Sequence, residues 1–399
     1  MANPLYEALP TTIFAVMSGL AQELGAINLG QGFPDEAGPE AIRRRAAEEA
    51  LGGDNQYPPM PGLPSLRQAV ARHYARFQGL DLDWRSEITI TSGATEALAA
   101  AFLALITPGD EVVLFQPLYD SYLPMVRRAG GVARLVRLEP PGFRLRRADL
   151  EGAFGERTRL VVLNNPLNPS ATVAPPEDLA LVAELCVRHD AIAVCDEVWE
   201  QVVFAPHAHR PLMGFAGMRE RSVKIGSAGK MFALTGWKVG FVCAAPELTA
   251  AIAKAHQFLT FTTAPNLQAA VAYGLGASDA WFAAMPTALA ASRDRLSEAL
   301  RREGFAVLES QGSYFLNVDL AASGVAEDDR GFCLRAVKDA GVAAIPISAF
   351  YEERPPTHLI RLCFAKQDET LDEGARRLAR ARDLSLKQVS THQSAVTPE

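Results

Sequence analysis

From about residue 60, short runs of apolar residues alternate with segments that have helical spacing. The runs predict strands over 87–92, 111–116, 133–138, 159–164, 191–195, 223–227 and 240–244. Helices are predicted between several of them, for example over 94–106 and 175–189. Strands that are apolar on both faces need cover on both sides. The pattern therefore predicts an α/β fold, with a mostly parallel central sheet and helices on both of its faces.

The spacing changes after residue 280, where a long helix over about 280–302 leads into a smaller α+β unit. This unit has strands predicted over 305–308, 314–319, 342–346 and 359–365 and helices over 331–340 and 369–383. We expect an N-terminal arm that packs with this small domain, a large domain, the small domain itself and a disordered polar tail. Their expected bounds are 1–45, 46–280, 281–384 and 385–399.

Composition and charge exclude several classes of protein. The chain has 399 residues and a net charge of −7, which argues against a broad basic footprint for nucleic acid. Its longest uncharged run, 255–278, contains His256, Gln257 and Pro265, and predicts a helix pair rather than a membrane span. No secretory signal is visible, and the five cysteines are spread out without a CxxC pair. We therefore expect a cytoplasmic protein that binds neither membrane nor nucleic acid.

Lysine is rare in this chain. Seven of the 39 basic residues are lysines, and none occurs before Lys224. A lysine amine can lose its proton and act as a nucleophile, whereas an arginine cannot in practice be deprotonated. Lys230 follows the strand predicted over 223–227 and a turn of small residues, which places it in the cleft beyond the strand end. Lys238 lies in the glycine-rich segment that comes next.

Polar clusters follow several of the predicted strands, and open α/β sheets bind ligands beyond the carboxyl ends of their strands. The clusters are 92–96, with a glycine turn before a helix, 164–170, with two prolines around Asn168, and the segment that begins at Asp196. The first suits a phosphate at a helix N-terminus, and Asp196 suits a cationic partner. Taken singly, each also fits a structural role: a plain turn, a capped turn, and a metal ligand or helix cap.

One further pair resembles a metal site. His207 and His209 are separated by a single residue, as paired metal ligands can be. No cysteine or acidic cluster near them in the sequence completes a site, so they are predicted to be surface loop residues, and no metal is expected.

Taken in order, these segments resemble the fold type I enzymes that depend on pyridoxal 5′-phosphate (PLP), class I/II aminotransferases, and most closely their kynurenine/glutamine/methionine aminotransferase branch. The resemblance covers nearly the whole chain. It rests on the segments 28–35, 56–57, 92–96, 165–169, 196–198, 227–230, 236–240 and 360–362. It implies the PLP transferase fold type I large domain and an aminotransferase activity.

The resemblance also implies a role for particular residues. Lys230 would form the Schiff base with PLP, Asp196 would pair with the pyridine nitrogen, and Tyr119 would stack on the ring; these three are the expected catalytic residues. The remaining expected cofactor-binding residues are Gly93, Ala94, Thr95, Asn168, Trp199, Ser227, Lys238 and Tyr57. The expected substrate-binding residues are Gly32, Asn168 and Arg361, with Arg361 holding the α-carboxylate. Tyr57 would reach the phosphate of a neighbouring subunit, which implies a homodimer with shared active sites.

Two positions depart from the family pattern. Trp199 stands where the family usually has a tyrosine, and an indole can neither accept a hydrogen bond nor ionise. We therefore expect a Schiff-base pKa that differs from the family's, or a larger share of the 3-oxygen hydrogen bonding for Asn168. Ala171 stands where a glycine is often found, which is expected to stiffen or reshape its loop.

The predicted function is the transfer of an amino group from an L-amino acid to a 2-oxo acid by a ping-pong mechanism. Residues 1–42 contain no arginine that could hold a side-chain carboxylate, so neutral, sulfur-containing or aromatic donors are favoured. A PLP-dependent cysteine-conjugate C–S β-lyase uses the same cofactor and lysine, and the sequence leaves it open. A PLP-binding regulatory module without turnover is less favoured, because the chain is acidic and shows no helix-turn-helix segment before residue 30.

Overall fold

Strands and helices alternate along the chain much as the apolar pattern predicts. The computed structural model describes residues 3–394, with side-chain surroundings to residue 386. The strands are β1 (Ile27–Asn28), β2 (Ile88–Thr91), β3 (Glu111–Gln116), β4 (Val132–Arg137), β5 (Thr158–Asn164), β6 (Ile192–Asp196), β7 (Ser222–Ser227), β8 (Gly240–Ala244), β9 (Ala306–Val307), β10 (Phe315–Asp319), β11 (Val342–Ala343), β12 (Ile345–Pro346) and β13 (Leu359–Cys363).

The α-helices cover the sheets and connect their strands. They are α1 (Pro4–Glu7), α2 (Ile13–Glu23), α3 (Glu40–Gly52), α4 (Pro64–Gln78), α5 (Gly93–Leu105), α6 (Tyr122–Arg128), α7 (Arg147–Ala153), α8 (Pro176–Arg188), α9 (Ala228–Met231), α10 (Pro246–Leu259), α11 (Pro265–Leu275), α12 (Asp279–Arg302), α13 (Asp329–Arg335) and α14 (Asp368–Ser394). Short 3₁₀ turns lie at Leu212–Gly214, Thr235–Trp237 and Ile347–Phe350.

Seven strands form the central sheet, in the order β2-β8-β7-β6-β5-β3-β4. The neighbours pair in parallel, except that β8 is antiparallel to both β2 and β7. Most residues of these strands are buried, because α5 and α10 cover one face and α4, α8 and α11 the other. The predicted α/β architecture, with a mostly parallel sheet covered on both faces, is confirmed.

The C-terminal part forms a second, smaller sheet in the order β12-β13-β10-β9, with antiparallel pairing. The N-terminal segment reaches this part, because β1 pairs in parallel with β11, aligning Ile27 with Val342. Met17 of α2 and Leu29 are fully buried in the same apolar cluster as Phe332 of α13.

The long uncharged run predicted as a helix pair lies in the end of α10 and in α11, joined by a short loop. His256 and Gln268 are fully buried there. His256 contacts the Glu96 carboxylate at 3.0 Å, and the Gln268 amide accepts the N–H of Leu63 at 2.7 Å. Across residues 3–394, no helix is both long and apolar enough to cross a membrane.

Two predicted elements of the small unit, and the tail predicted after it, differ from the structure. The strand predicted over 342–346 is two strands with different partners, β11 beside β1 and β12 beside β13. The helix predicted over 331–340 begins at Asp329 and ends in a π-helical turn, Ala336–Ala340. A disordered tail was predicted from residue 385, but α14 continues to Ser394, since no glycine or proline interrupts 375–394. Residues 395–399 of that predicted tail lie outside the described residues.

Gly226 in β7 is required by close packing. A Cβ at this position would lie 2.3 Å from both the Tyr74 hydroxyl and the Phe241 ring. We expect Gly226→Ala to lower the free energy of unfolding by about 1–3 kcal/mol, because a packed core must shift to admit the methyl group. Gly152→Ala in α7 is the matched control, since a Cβ there meets nothing within 4 Å. It should leave stability unchanged or raise it by up to about 1 kcal/mol in urea unfolding. Equal urea midpoints for the two variants would contradict the packing argument.

Candidate active site

A cavity of about 420 Å³ lies beyond the carboxyl ends of the central strands. Twelve of the thirteen residues predicted for the site line it: Gly32, Gly93, Ala94, Thr95, Tyr119, Asn168, Asp196, Trp199, Ser227, Lys230, Lys238 and Arg361. The exception is Tyr57, whose side chain is 84% exposed and whose ring contacts Phe261 at 5.6 Å.

Lys230 extends into this cavity from the short helix that follows β7. Its Nζ donates to the Gly32 carbonyl at 3.4 Å and lies 4.8 Å from the centre of the Trp199 ring. Burial lowers the pKa of the Lys230 amine to about 8. A substantial fraction of this amine is therefore neutral near pH 8, and a neutral amine can act as a nucleophile or accept a proton.

Asp196 is the last residue of β6 and is buried. One carboxylate oxygen, Oδ2, accepts from the Tyr122 hydroxyl, and the other, Oδ1, has no hydrogen-bond partner within the described part of the chain. Burial raises the pKa of Asp196 to about 6, although the bond from Tyr122 opposes this. A buried oxygen without a partner is costly, so the site is built for a donor that comes from a ligand.

The start of α5 forms a cradle with the chain around Lys238. Gly93 and Lys238 both have left-handed backbones, with φ of 74° and 54°. A Cβ on Gly240 would lie 2.6 Å from the backbone of Gly93, and one on Gly93 would lie 3.2 Å from the Lys238 ammonium. The first-turn N–H groups of α5, the Lys238 ammonium and Ser227 therefore line a space that suits an anion such as a phosphate.

Arg361 of β13 is a buried cation, 1% exposed. Its guanidinium donates to the Asn168 side-chain oxygen and to the Gly30 carbonyl, both at 2.8 Å, and it stacks 3.9 Å from the centre of the Phe315 ring. Burial lowers its pKa to about 9. Its Nε has no partner among the described residues, and no ion pair joins it to a carboxylate there. The Arg361 guanidinium can therefore still bind an anionic group.

The two predicted aromatic residues that line the cavity, Tyr119 and Trp199, have different surroundings. Burial raises the pKa of Tyr119 to about 12, so its hydroxyl stays protonated near neutral pH. Trp199 is buried and packs edge-on against Tyr314, with ring centres 4.3 Å apart.

The left-handed backbone of Ala171, with φ of 63°, shows that its loop keeps a conformation typical of glycine.

Several residues of the site were not predicted. Asn164 joins two predicted members, since its side chain accepts from the Asn168 N–H at 2.8 Å and donates to the Asp196 carbonyl at 2.9 Å. It belongs to the polar cluster that the sequence singled out. Tyr122 and Phe315 gave no such signal, because one lies on a helix and the other in an apolar strand.

The prediction of surface positions for both histidines is wrong for His209, whose side chain is 5% exposed. It contacts Glu197 at 3.2 Å, while His207 contacts Glu309 at the same distance. Glu197, Glu200 and His209 bring their ligand atoms within 4.8 Å of one another, an acidic cluster that the sequence did not reveal. The space between the two carboxylates is taken by the ammonium of Lys224.

The fold and the site together define a fold type I enzyme that depends on PLP. The cradle suits a phosphate dianion, the partnerless Asp196 oxygen suits a pyridine N–H, and the Lys230 amine suits an aldehyde. The donor set therefore fits this cofactor.

Comparison with known proteins identifies the family. A sequence model of "Aminotransferase class I and II" matches residues 25–378, and the chain belongs to this family. A probable N-succinyldiaminopimelate aminotransferase of Mycobacterium tuberculosis is 45% identical over 380 residues, covering 92% of this chain and 96% of the relative. The methionine aminotransferase of Escherichia coli is 44% identical over 370 residues, covering 93% and 96%. The solved structure of N-succinyldiaminopimelate aminotransferase from M. tuberculosis superposes with a TM-score of 0.93 at 45% identity, covering 96% of this chain and all of the other. The protein is a PLP-dependent aminotransferase.

The lowered pKa of Lys230 can be measured in the cofactor-free protein. Amine acylation should modify Lys230 with a midpoint near pH 8, because only the neutral amine reacts. The exposed Lys254 is the internal reference, and peptide mass spectrometry separates the two. A Lys230 midpoint near pH 10.5 would contradict the effect assigned to burial.

Proposed function

We propose that this aminotransferase works by a ping-pong mechanism on neutral, sulfur-containing or aromatic L-amino acids, with a 2-oxo acid as acceptor. The observation that carries the proposal is the placement of Lys230 in one cavity with Asp196 and Arg361. The amino group of the donor stays with the enzyme while the oxo acid leaves. A second oxo acid then enters the same cavity and takes it.

Six groups would hold the cofactor in this scheme. When bound, PLP supplies an electron sink for the carbanion that forms at the substrate Cα. Asp196 would keep the ring nitrogen protonated through its free Oδ1, and Lys238 and Ser227 would bind the phosphate with the first turn of α5. Tyr119 would cover one ring face, and Asn168 would bond the 3-oxygen.

Trp199 occupies the place of the family's tyrosine without its hydroxyl. Its ring lies 4.8 Å from the Lys230 ammonium nitrogen, close enough for a cation–π contact. Since an indole cannot accept a hydrogen bond, Asn168 would be left with more of the bonding to the 3-oxygen. Asn168 is held for this by Asn164 and Arg361.

Arg361 would bind the substrate α-carboxylate. Its planar fork matches a carboxylate, and its stacking on Phe315 fixes the plane of the guanidinium. The bound substrate would present its Cα to Lys230, whose Nζ would take up the Cα proton and hold it for return. The Gly32 carbonyl, 3.4 Å from Nζ, orients the amine.

The lining of the cavity supports neutral donors. Arg361 is the one arginine among the lining residues in the described part of the chain, while Phe14, Trp199 and Phe315 offer apolar surface. Asp120 lines the same cavity, and its carboxylate would repel a side-chain carboxylate on the donor. The name of the methionine aminotransferase relative agrees with this range, whereas that of the N-succinyldiaminopimelate aminotransferase relative lies outside it.

A homodimer is part of the proposal. Tyr57 and Phe258 are 84% and 85% exposed, Leu259, Phe261 and Tyr273 are also exposed, and the Tyr57 and Phe261 rings are in contact. Exposed aromatic residues of this kind mark interaction surfaces. Tyr57 would there reach the phosphate in the partner's site. The five cysteines are free and buried, as is usual in a reducing compartment, and we place the enzyme in the cytoplasm.

Replacement of Lys230 tests the role of this lysine. Lys230→Ala should abolish transamination and should bind PLP without a link that borohydride can reduce, because the attached amine is gone. Absorbance of the denatured, borohydride-treated protein reports the link. Normal transamination and a reducible link in this variant would overturn the proposal.

The substrate range is tested by a screen of amino donors with 2-oxoglutarate and pyruvate as acceptors. Methionine and aromatic donors should react faster than aspartate and glutamate. Arg361→Lys should raise KM for the best donor by roughly tenfold to a hundredfold, because an ammonium cannot bind a carboxylate through two parallel bonds. Aspartate as the best donor would contradict the substrate assignment. Pyruvate release from a cysteine conjugate without any acceptor would favour a β-lyase.

A further inference from the structure

Lys224 is a buried lysine that does not line the cavity. It lies in β7, three residues before Ser227, and is 1% exposed. A chain that uses arginine for most of its cations has a lysine here, in the interior, on the strand that leads to Lys230.

The surroundings of Lys224 match the shape of an ammonium. Its Nζ donates to Glu197 and, at 2.5 Å, to Glu200, and it lies 4.6 Å from the centre of the Tyr74 ring. Two of the three N–H groups therefore meet carboxylates and the third faces an aromatic ring. An arginine would bring five donors on a larger plane into the same space, which explains why lysine stands here.

Both carboxylates have further polar contacts besides those with Lys224. Glu197 accepts from the Leu212 N–H and contacts His209 Nε2, both at 3.2 Å. Glu200 accepts from the Tyr74 hydroxyl at 2.8 Å and from the Gln78 amide at 2.6 Å. The cluster thus ties β7 to α4 and to the segment that follows β6.

That segment, 196–201, carries residues of the active site on its other side. Asp196, Val198 and Trp199 line the cavity, whereas Glu197 and Glu200 turn away from it to Lys224. The backbone contributes two bonds, from the Glu197 N–H to the Ile225 carbonyl and from the Glu200 N–H to the Glu197 carbonyl, both 3.0 Å. We propose that Lys224 is a positioning residue, which fixes the segment 196–201 by holding Glu197 and Glu200 and so presents Asp196 and Trp199 to the cofactor.

The charges of these side chains explain why the ion pairs of Lys224 with Glu197 and Glu200 are stable. Burial alone would raise the pKa of the Glu197 carboxyl. The interactions with Lys224 and His209 outweigh this effect and lower the pKa to about 2, so the carboxylate stays ionised. The two carboxylates raise the pKa of Lys224 against the effect of burial. Without the ammonium, two buried carboxylates would repel each other, and the segment would move or take up a proton.

The inference rests on the proposed role of Asp196 in holding the cofactor, and the experiment separates the two. Apoenzyme with Lys224→Met is titrated with PLP by equilibrium dialysis, and kcat and the donor KM are measured at saturating PLP. We expect the PLP dissociation constant to rise and kcat to fall, each by about tenfold or more, because a displacement near 1 Å is enough for such losses. The donor KM should change little, since Arg361 lies in another element.

Glu111→Gln is the matched control. Glu111 is a buried carboxylate paired with Arg134 at 2.5 Å and with Arg157 at 2.7 Å. It is the first residue of β3 and therefore lies at the amino-terminal end of the strand, away from the cavity. This variant should lose thermal stability and keep its PLP dissociation constant within about twofold. Should Lys224→Met fail to fold, Glu200→Gln takes its place, with an expected loss of PLP affinity of about threefold or more.

The outcomes distinguish the claims. Folded Lys224→Met protein with the PLP affinity and kcat of Glu111→Gln, together with weakened PLP binding in Asp196→Asn, would overturn the positioning role alone. Unchanged PLP binding in Asp196→Asn would overturn the cofactor assignment on which the inference rests. Weakened binding in both Lys224→Met and Asp196→Asn, with normal binding in Glu111→Gln, is the result that supports it.

Discussion

The parallel pairing of β5, β6 and β7 is the constraint on which the site depends. Its register places Asn164 opposite Asp196 and Asp196 opposite Ile225. Because parallel strands end at the same edge, the residues that close these strands, Asn164, Asp196 and Ser227, meet there. The apolar interior of the strands and the helices on both faces hold this register, since a shift of one residue would turn every side chain to the other face.

The buried charged residues of this region fall into two groups, one joined in ion pairs and one without ion pairs. Lys224 is fully paired with Glu197 and Glu200. Asp196, Lys230 and Arg361 have no ion pair in the part of the chain that the structure describes, and two of them keep an unbonded polar atom. Unpaired buried charges destabilise a fold, and they persist where a ligand completes them. The ion pairs of Lys224 with Glu197 and Glu200 hold the segment that presents Asp196.

Much of the seven-stranded sheet could be predicted from the sequence, because continuous apolar runs define buried parallel strands. The predicted runs 111–116 and 240–244 match β3 and β8, and the ends of the other central strands differ by at most one residue. The polar clusters beyond those strands supplied more than half of the residues that line the cavity, because parallel strands end at the same edge of the sheet. Contacts between distant residues were beyond such reasoning. The bond from Tyr122 to Asp196, the burial of His209 and the bridge at Lys224 depend on packing, which leaves no local pattern.

We propose that Lys230 and Asp196 hold one PLP molecule, with Arg361 beside it for the substrate. A crystal structure of the protein grown with PLP would test this arrangement. We expect continuous electron density from Lys230 Nζ into the cofactor, the ring nitrogen within hydrogen-bond distance of Asp196 Oδ1, and the phosphate between Lys238 and the start of α5. A cofactor joined to another lysine, or a ring nitrogen that faces away from Asp196, would contradict it.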